Sequence, residues 1–152
     1  MSAEQKLKEL GLVIPESSSP LGSYVPIHQV GDLVYLSGVL PKLANGEVLS
    51  GFAGADSVER GQQAARVALL NAMGVIKGFL GDLDKVGQVV RLVGYVQSET
   101  GFKEHPKVIN GASDLLLEIF GEKGRHARSA VGVNSLPLGA FVELELTLAV
   151  NN

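Results

Sequence analysis

Arg128, Glu143 and Glu145 are the residues whose types and spacing could do chemistry. A guanidinium can take a carboxylate through two parallel hydrogen bonds, and a carboxylate within reach of a water can accept its proton. These residues lie in His126-Ala-Arg128-Ser-Ala-Val-Gly-Val133 and Phe141-Val-Glu143-Leu-Glu145-Leu146, with Leu136-Pro-Leu-Gly139 between them. The pattern predicts two strands joined by a short Pro/Gly turn. With Leu136 to Gly139 as the loop, Ser135 falls opposite Ala140. Arg128, Ala130 and Gly132 then share a face with Glu143, Glu145 and Thr147, whereas a one-residue slip would separate the two sets. So drawn, a guanidinium and two carboxylates stand over a floor of Ala130 and Gly132 with room for something small. Val142, Leu144, Leu146, Leu148 and Val150 form the opposite, apolar face.

Each of these side chains has a plainer reading beside the chemical one. Arg128 either grips a ligand or closes a salt bridge to Glu143 or Glu145. Glu143 either activates water or pairs with Arg128 or a neighbouring subunit's backbone. Glu145, roughly 7 Å further along the strand, reads as structural. Ser37, in Leu36-Ser37-Gly38, lacks a nucleophile elbow and is a cleft hydroxyl or a strand-end serine. Tyr24 is a cleft wall or a core residue. Asn110 falls in Asn-Gly-Ala-Ser-Asp114, mid-helix, where Asn and Gly are both poor formers; function and packing are equal explanations. His126 shares the face of Arg128 and could tune it near neutral pH, or be a lone surface or interface histidine. His28, His105 and His126 have no metal-ligand spacing, so no metal is expected.

The elements that must position these residues follow from local pattern. Ser2 to Leu10 has helical spacing, with Gly11 placed to stop it, and Pro15 to Gly22 reads as a surface connector. Tyr24–Val30 and Asp32–Ser37 form a hairpin across Gly31-Asp32, and Asn45-Gly46 marks a turn before a short segment from Glu47. Asp56 and Glu59 resemble a capping box. Val58, Ala65, Leu69, Ala72, Ile76 and Leu80 repeat as one face of a helix from Ser57 to Phe79. Val86 to Val96 is β-branched and reads as a central strand. Pro106 suits a helix N-terminus, with Val108, Ala112, Leu115, Leu116 and Ile119 continuing to Gly121. The order is hairpin, strand, helix, strand, helix, hairpin, an α+β sheet with two main helices on one face. The other sheet face would need cover, most simply another copy of the same chain, with a pocket between subunits.

At 152 residues with 45% hydrophobic side chains, the chain supports one domain over 1–152. A net charge of −3, without a basic run, argues against nucleic acid as a partner. The absence of cysteine removes disulfides, thiolate metal sites and thiol nucleophiles together. No apolar run reaches the length of a membrane span, and the N-terminus lacks the regions of a signal peptide. A cytoplasmic protein without membrane association is the expectation.

Several of these segments resemble the YjgF/RidA family, also called L-PSP endoribonuclease-like. They are Tyr24-Val25, Leu36-Ser37-Gly38 with Pro41, Asn45-Gly46-Glu47-Val48, Ala64-Ala65-Arg66 with Asn71, and Ala127-Arg128-Ser129 through Leu136-Pro137 to Val142-Glu143. Asn110 to Leu115 and Gly124 to Arg128 are similar to its longer-chain subgroup, which implies that residues 1–22 are that subgroup's N-terminal extension. The resemblance implies a chorismate-mutase-like α+β fold of the bacillus type, assembled as a homotrimer with clefts between subunits. It implies hydrolytic deamination of reactive 2-imino or enamino acids to 2-oxo acids and ammonia, without a cofactor. Arg128 would bind the substrate carboxylate and Glu143 would direct water. Tyr24, Ser37, Gly38, Asn110, His126 and Ala130 would line the cleft. The sequence departs from the family at Ala130, often Cys, at His126 for a proline, at Val39 for a Gln and at Ser113 near a tyrosine. Those departures keep open a trimer that binds small carboxylate metabolites without turning them over.

Overall fold

The computed structural model describes residues 1–17 and 22–151; part of the connector expected over 15–22 lies outside the described residues. Helix α1 (Ala3–Glu9) is closed by a capping box between Ser2 and Gln5, and Gly11 ends it at a φ of 68°. Its buried Ala3 and Leu7 make it part of the core, and Glu4 pairs with Lys77 at 3.1 Å. Strands β1 (Ile27–Val30) and β2 (Leu33–Leu36) form the expected hairpin, with Val30 paired to Leu33. Gly31 at the turn has a φ of 60°, open to glycine at no steric cost. The segment from Glu47 forms isolated bridges, Lys42 to Val48 and Ser50 to Ala140, in place of a strand.

Helix α2 (Val58–Leu80) follows the expected periodicity, burying Ala65, Leu69, Ala72 and Ile76. Its start differs from the expectation. The cap position is Ser57, not Asp56, and the Ser57 hydroxyl is engaged by Gly54 and Phe52 in place of a helix N–H. That buried hydroxyl serves the preceding turn, which outcompetes a capping box. Strand β3 (Val86–Gln97), helix α3 (His105–Phe120) and strand β4 (Ala127–Val133) follow, and β5 (Val142–Val150) closes the chain.

The sheet order is β1-β2-β5-β3-β4. This overturns the C-terminal hairpin: β4 and β5 are separated by β3, which pairs parallel with β4 and antiparallel with β5. The β3–α3–β4 unit is a crossover, and its helix sets β4 beside β3 in parallel. Residues 134–141, including the short turn Pro137–Gly139, then carry the chain back over the end of β3, a step of about 10 Å at ordinary strand spacing. Gln97, buried at the end of β3, fastens that return. Its amide nitrogen donates to the Gly51 and Gly139 carbonyls at 2.8 and 3.2 Å, and its oxygen accepts from the Leu136 N–H at 2.9 Å.

Leu92, Val96, Leu144, Leu146 and Leu148 are buried beneath α2 and α3. Helix α3 lies close to its neighbours at two glycines: a Cβ on Gly111 would strike the Gln62 backbone, and Ile109 occupies the space beside Gly94 in β3. Among the described residues, no layer covers the opposite sheet face. Tyr35 and Val131 on it are 45% and 43% exposed. No helix among the described residues is long and apolar enough to cross a membrane.

Candidate functional site

Strand pairing determines which side chains can meet. Leu92 of β3 is level with Arg128 on one side and Leu146 on the other, and Tyr95 is level with Glu143 and Val131. Residues directly across a ladder share a face. Arg128, Ala130 and Gly132 therefore look to the helix-covered face, and Glu143 and Glu145 to the open one. The expected common face of arginine and glutamates is corrected. With β3 inserted, the register of the imagined hairpin does not exist, and the small-residue floor goes with Arg128 alone. Phe141, just before β5, is buried against Gly51 and Gly61, with the Arg60 guanidinium 5.8 Å from its ring.

At the sheet edge Arg128 reaches α3. Its Nη1 donates to Ser113 Oγ at 3.0 Å and its Nη2 to the Pro106 carbonyl at 3.3 Å. Both acceptors are neutral. None of the ion pairs among the described residues includes Arg128, so neither Glu143 nor Glu145 is its partner within this chain. His126 completes the cluster, with Nδ1 2.6 Å from the Gly124 carbonyl and Nε2 2.9 Å from Ser113 Oγ. Ala130 follows on the same face of β4.

On the open face Glu143 is half-buried and its carboxylate lies over Gly38, where a Cβ would collide with it. Burial foremost, then the neighbouring Glu145 charge, raises the Glu143 pKa above the ordinary carboxylate value. Glu145 accepts from the Tyr95 hydroxyl at 3.1 Å; burial, followed by that hydrogen bond, raises the Tyr95 pKa. Arg91 stands on this face too, donating to Ser129 Oγ at 3.0 Å.

The structure brings Ser37 and Gly38 to the Glu143 side. The Ser37 hydroxyl donates to the Val25 carbonyl at 2.6 Å, stitching β2's end to the segment before β1, and Tyr24 beside that segment is 52% exposed. Asn110 lies elsewhere, in a depression between α2 and α3 with Gln62, Arg66 and Asp114. The poor helix formers there have a packing cause at Gly111, which admits the α2 backbone. Ser113, Tyr95 and Arg91 join the clusters without having been singled out as site residues. Ser113 alone had a signal, as a polar residue close to the core positions Ala112, Leu115 and Leu116 of the same helix.

Residues 4–148 match the family described as "YjgF/chorismate_mutase-like, putative endoribonuclease". Protein TCP17 of Trypanosoma cruzi is 44% identical over 96% of this chain and 92% of its own length. The crystal structure of Atu1372, a protein of unknown function from Agrobacterium tumefaciens, is 41% identical, superposes with a TM-score of 0.89 and covers 98% of this chain and 94% of its own. RidA from the Antarctic bacterium Psychrobacter sp. PAMC 21119 shares the fold at 24% identity, with a TM-score of 0.64 over 89% of this chain and 94% of its own. With the sheet, the two covering helices and the Ala127–Val133 and Val142–Val150 strands in place, the chain belongs to the YjgF/RidA family.

Proposed function

We propose that this protein hydrolyses reactive 2-imino and enamino acids to 2-oxo acids and ammonia, in a cleft between subunits of a homotrimer. The observation that carries the reading is an arginine oriented by neutral groups and uncompensated by any carboxylate among the described residues. Such a cation, partly withdrawn from water, favours a small anion that fits its planar fork. Arg128 takes the substrate carboxylate. Glu143, held over Gly38 and raised in pKa, accepts a proton from the attacking water.

The water oxygen bonds to the imine carbon while Glu143 takes one of its protons and passes it to nitrogen. The hydroxyl proton of the resulting carbinolamine then moves to the amine by the same carboxylate, the C=O bond forms and the C–N bond breaks to release ammonia. Imines hydrolyse without help, so placing a polarised water against a fixed imine carbon supplies what the reaction needs. Because Arg128 and Glu143 face opposite sides of one sheet, a site using both draws on two copies of the chain. The exposed Tyr35 and Val131 on the open face support that assembly.

The test is the rate at which 2-iminopropionate, generated in situ by an amino-acid oxidase, disappears with the native protein and with Arg128→Ala. Acceleration over the spontaneous rate that is lost in the variant supports the reading; no acceleration by folded, assembled protein discards it. Arg128-dependent binding of a carboxylate with no turnover would favour a metabolite-binding trimer.

A further inference from the structure

We propose that Ser113 and His126 are positioning residues that lock the Arg128 guanidinium in its carboxylate-binding orientation. This rests on the reading of Arg128 as the carboxylate grip, and it moves His126 from the cleft lining to the support behind it.

The hydrogen bonds run in one direction. The Gly124 carbonyl can only accept, so His126 Nδ1, 2.6 Å away, carries a proton. In the neutral ring that leaves Nε2 as an acceptor, and its partner is the Ser113 hydroxyl at 2.9 Å. Ser113 therefore spends its proton on His126 and turns its oxygen lone pairs toward Arg128, whose Nη1 lies 3.0 Å away. Arg128 donates to Ser113, Ser113 to His126, and His126 to Gly124. Without the histidine the Ser113 hydroxyl proton has no fixed acceptor, so the rotor that aims its lone pairs at the guanidinium is no longer held.

Ser113 is 8% exposed, on the buried side of α3, where a hydroxyl without partners is costly. The chain of bonds satisfies it and ties three elements together: α3, β4 and the Gly121–Gly124 turn before β4. The Pro106 carbonyl fixes the second guanidinium nitrogen from the first turn of α3. Both anchors come from α3, which leaves the remaining N–H donors of the fork for a ligand. Both ring nitrogens of His126 are already engaged, so the imidazole works through Arg128 and not on the substrate.

The experiment measures the dissociation constant for pyruvate, the product of 2-iminopropionate hydrolysis, together with kcat and KM for the imine. The proteins are the native chain, Ser113→Ala, Ser113→Thr, His126→Phe, His126→Gln, Arg128→Ala and Ser113→Ala/Arg128→Ala, each with its melting temperature. Ser113→Ala and His126→Phe are expected to weaken pyruvate roughly tenfold, the scale of one hydrogen bond to a charged group. KM should rise by a similar factor, with kcat little changed. Ser113→Thr and His126→Gln, which keep the hydroxyl and an acceptor, should recover most of the loss. In the Arg128→Ala background Ser113→Ala should cost nothing further, a result that general damage to the fold would not give.

Native-like pyruvate binding by both Ser113→Ala and His126→Phe overturns the proposal, as does an undiminished effect of Ser113→Ala when Arg128 is already absent. If Arg128→Ala itself binds pyruvate as the native protein does, the carboxylate grip and its support both fall.

Discussion

Arg128 and Glu143 occupy opposite faces of one sheet, Arg128 level with Leu92 and Glu143 level with Tyr95, with β3 between their strands. A site that needs both should therefore be rebuilt from two defective chains. Arg128→Ala and Glu143→Ala homo-oligomers are each expected to be inactive toward 2-iminopropionate. Refolded together as a random mixture, they should regain about one quarter of native activity, because in a closed ring one subunit pair in four has both intact groups at its shared cleft. No recovery, with exchange shown by mass spectrometry, would mean that one chain supplies both groups.

Replacing Arg128 by lysine keeps the charge and removes the fork. Loss of paired charge-assisted bonds should lower kcat/KM about tenfold to a hundredfold, mainly through KM. Steady-state kinetics over a range of imine fluxes checks this; full activity in Arg128→Lys would show that charge alone is enough.

Glu143 makes the stability of the protein depend on pH in a defined direction. Its carboxyl is held above the ordinary value by burial and then by Glu145, so the folded state binds the proton more tightly than the unfolded chain does. That contribution is fully present below the ordinary carboxylate value and is lost as pH rises through the folded value. Glu143→Gln should accordingly melt higher than the parent at neutral pH, with the gap closing toward about pH 4. Thermal melts across that window would show it; a variant less stable at neutral pH would contradict the burial argument.

Gln97→Ala should be among the more damaging single changes outside the site. It strips partners from the Gly51 and Gly139 carbonyls and the Leu136 N–H at once. The expected cost is about 2–4 kcal/mol, read by denaturant or thermal unfolding. A loss below about 0.5 kcal/mol would mean that water or backbone replaces the amide.

Gly111→Ala tests whether helix propensity or packing governs the middle of α3. Propensity alone predicts a gain of about 1 kcal/mol. The added Cβ would strike the Gln62 backbone, and overpacking at that contact should reverse the sign, to a loss of about 1–3 kcal/mol. Equilibrium unfolding distinguishes the two outcomes.

What could be read along the chain was what depends on near neighbours. Period-two alternation marked Leu144, Leu146 and Leu148 as inward and Glu143 and Glu145 as outward, because adjacent strand residues must point apart. Helical spacing gave Ala65, Leu69, Ala72 and Ile76 to one buried face of α2, and Gly11, Gly31 and Gly46 marked places where the backbone takes a positive φ. The residues that identify the family, from Leu36-Ser37-Gly38 to Ala127-Arg128-Ser129, were legible in the same way.

The partner of each strand was not legible there. β4 and β5 are consecutive and carry compatible alternation, so nothing local distinguishes a hairpin from a pair separated by β3. The choice rests on α3 packing over the sheet and on Gln97 tying down the return loop, contacts between residues far apart in sequence. By itself the sequence determined which side chains are chemically able and which face of each element they occupy. Only the tertiary structure decided that Arg128 turns to Ser113 and His126 while Glu143 turns to Gly38, because the relative facing of two strands depends on the register of every strand between them.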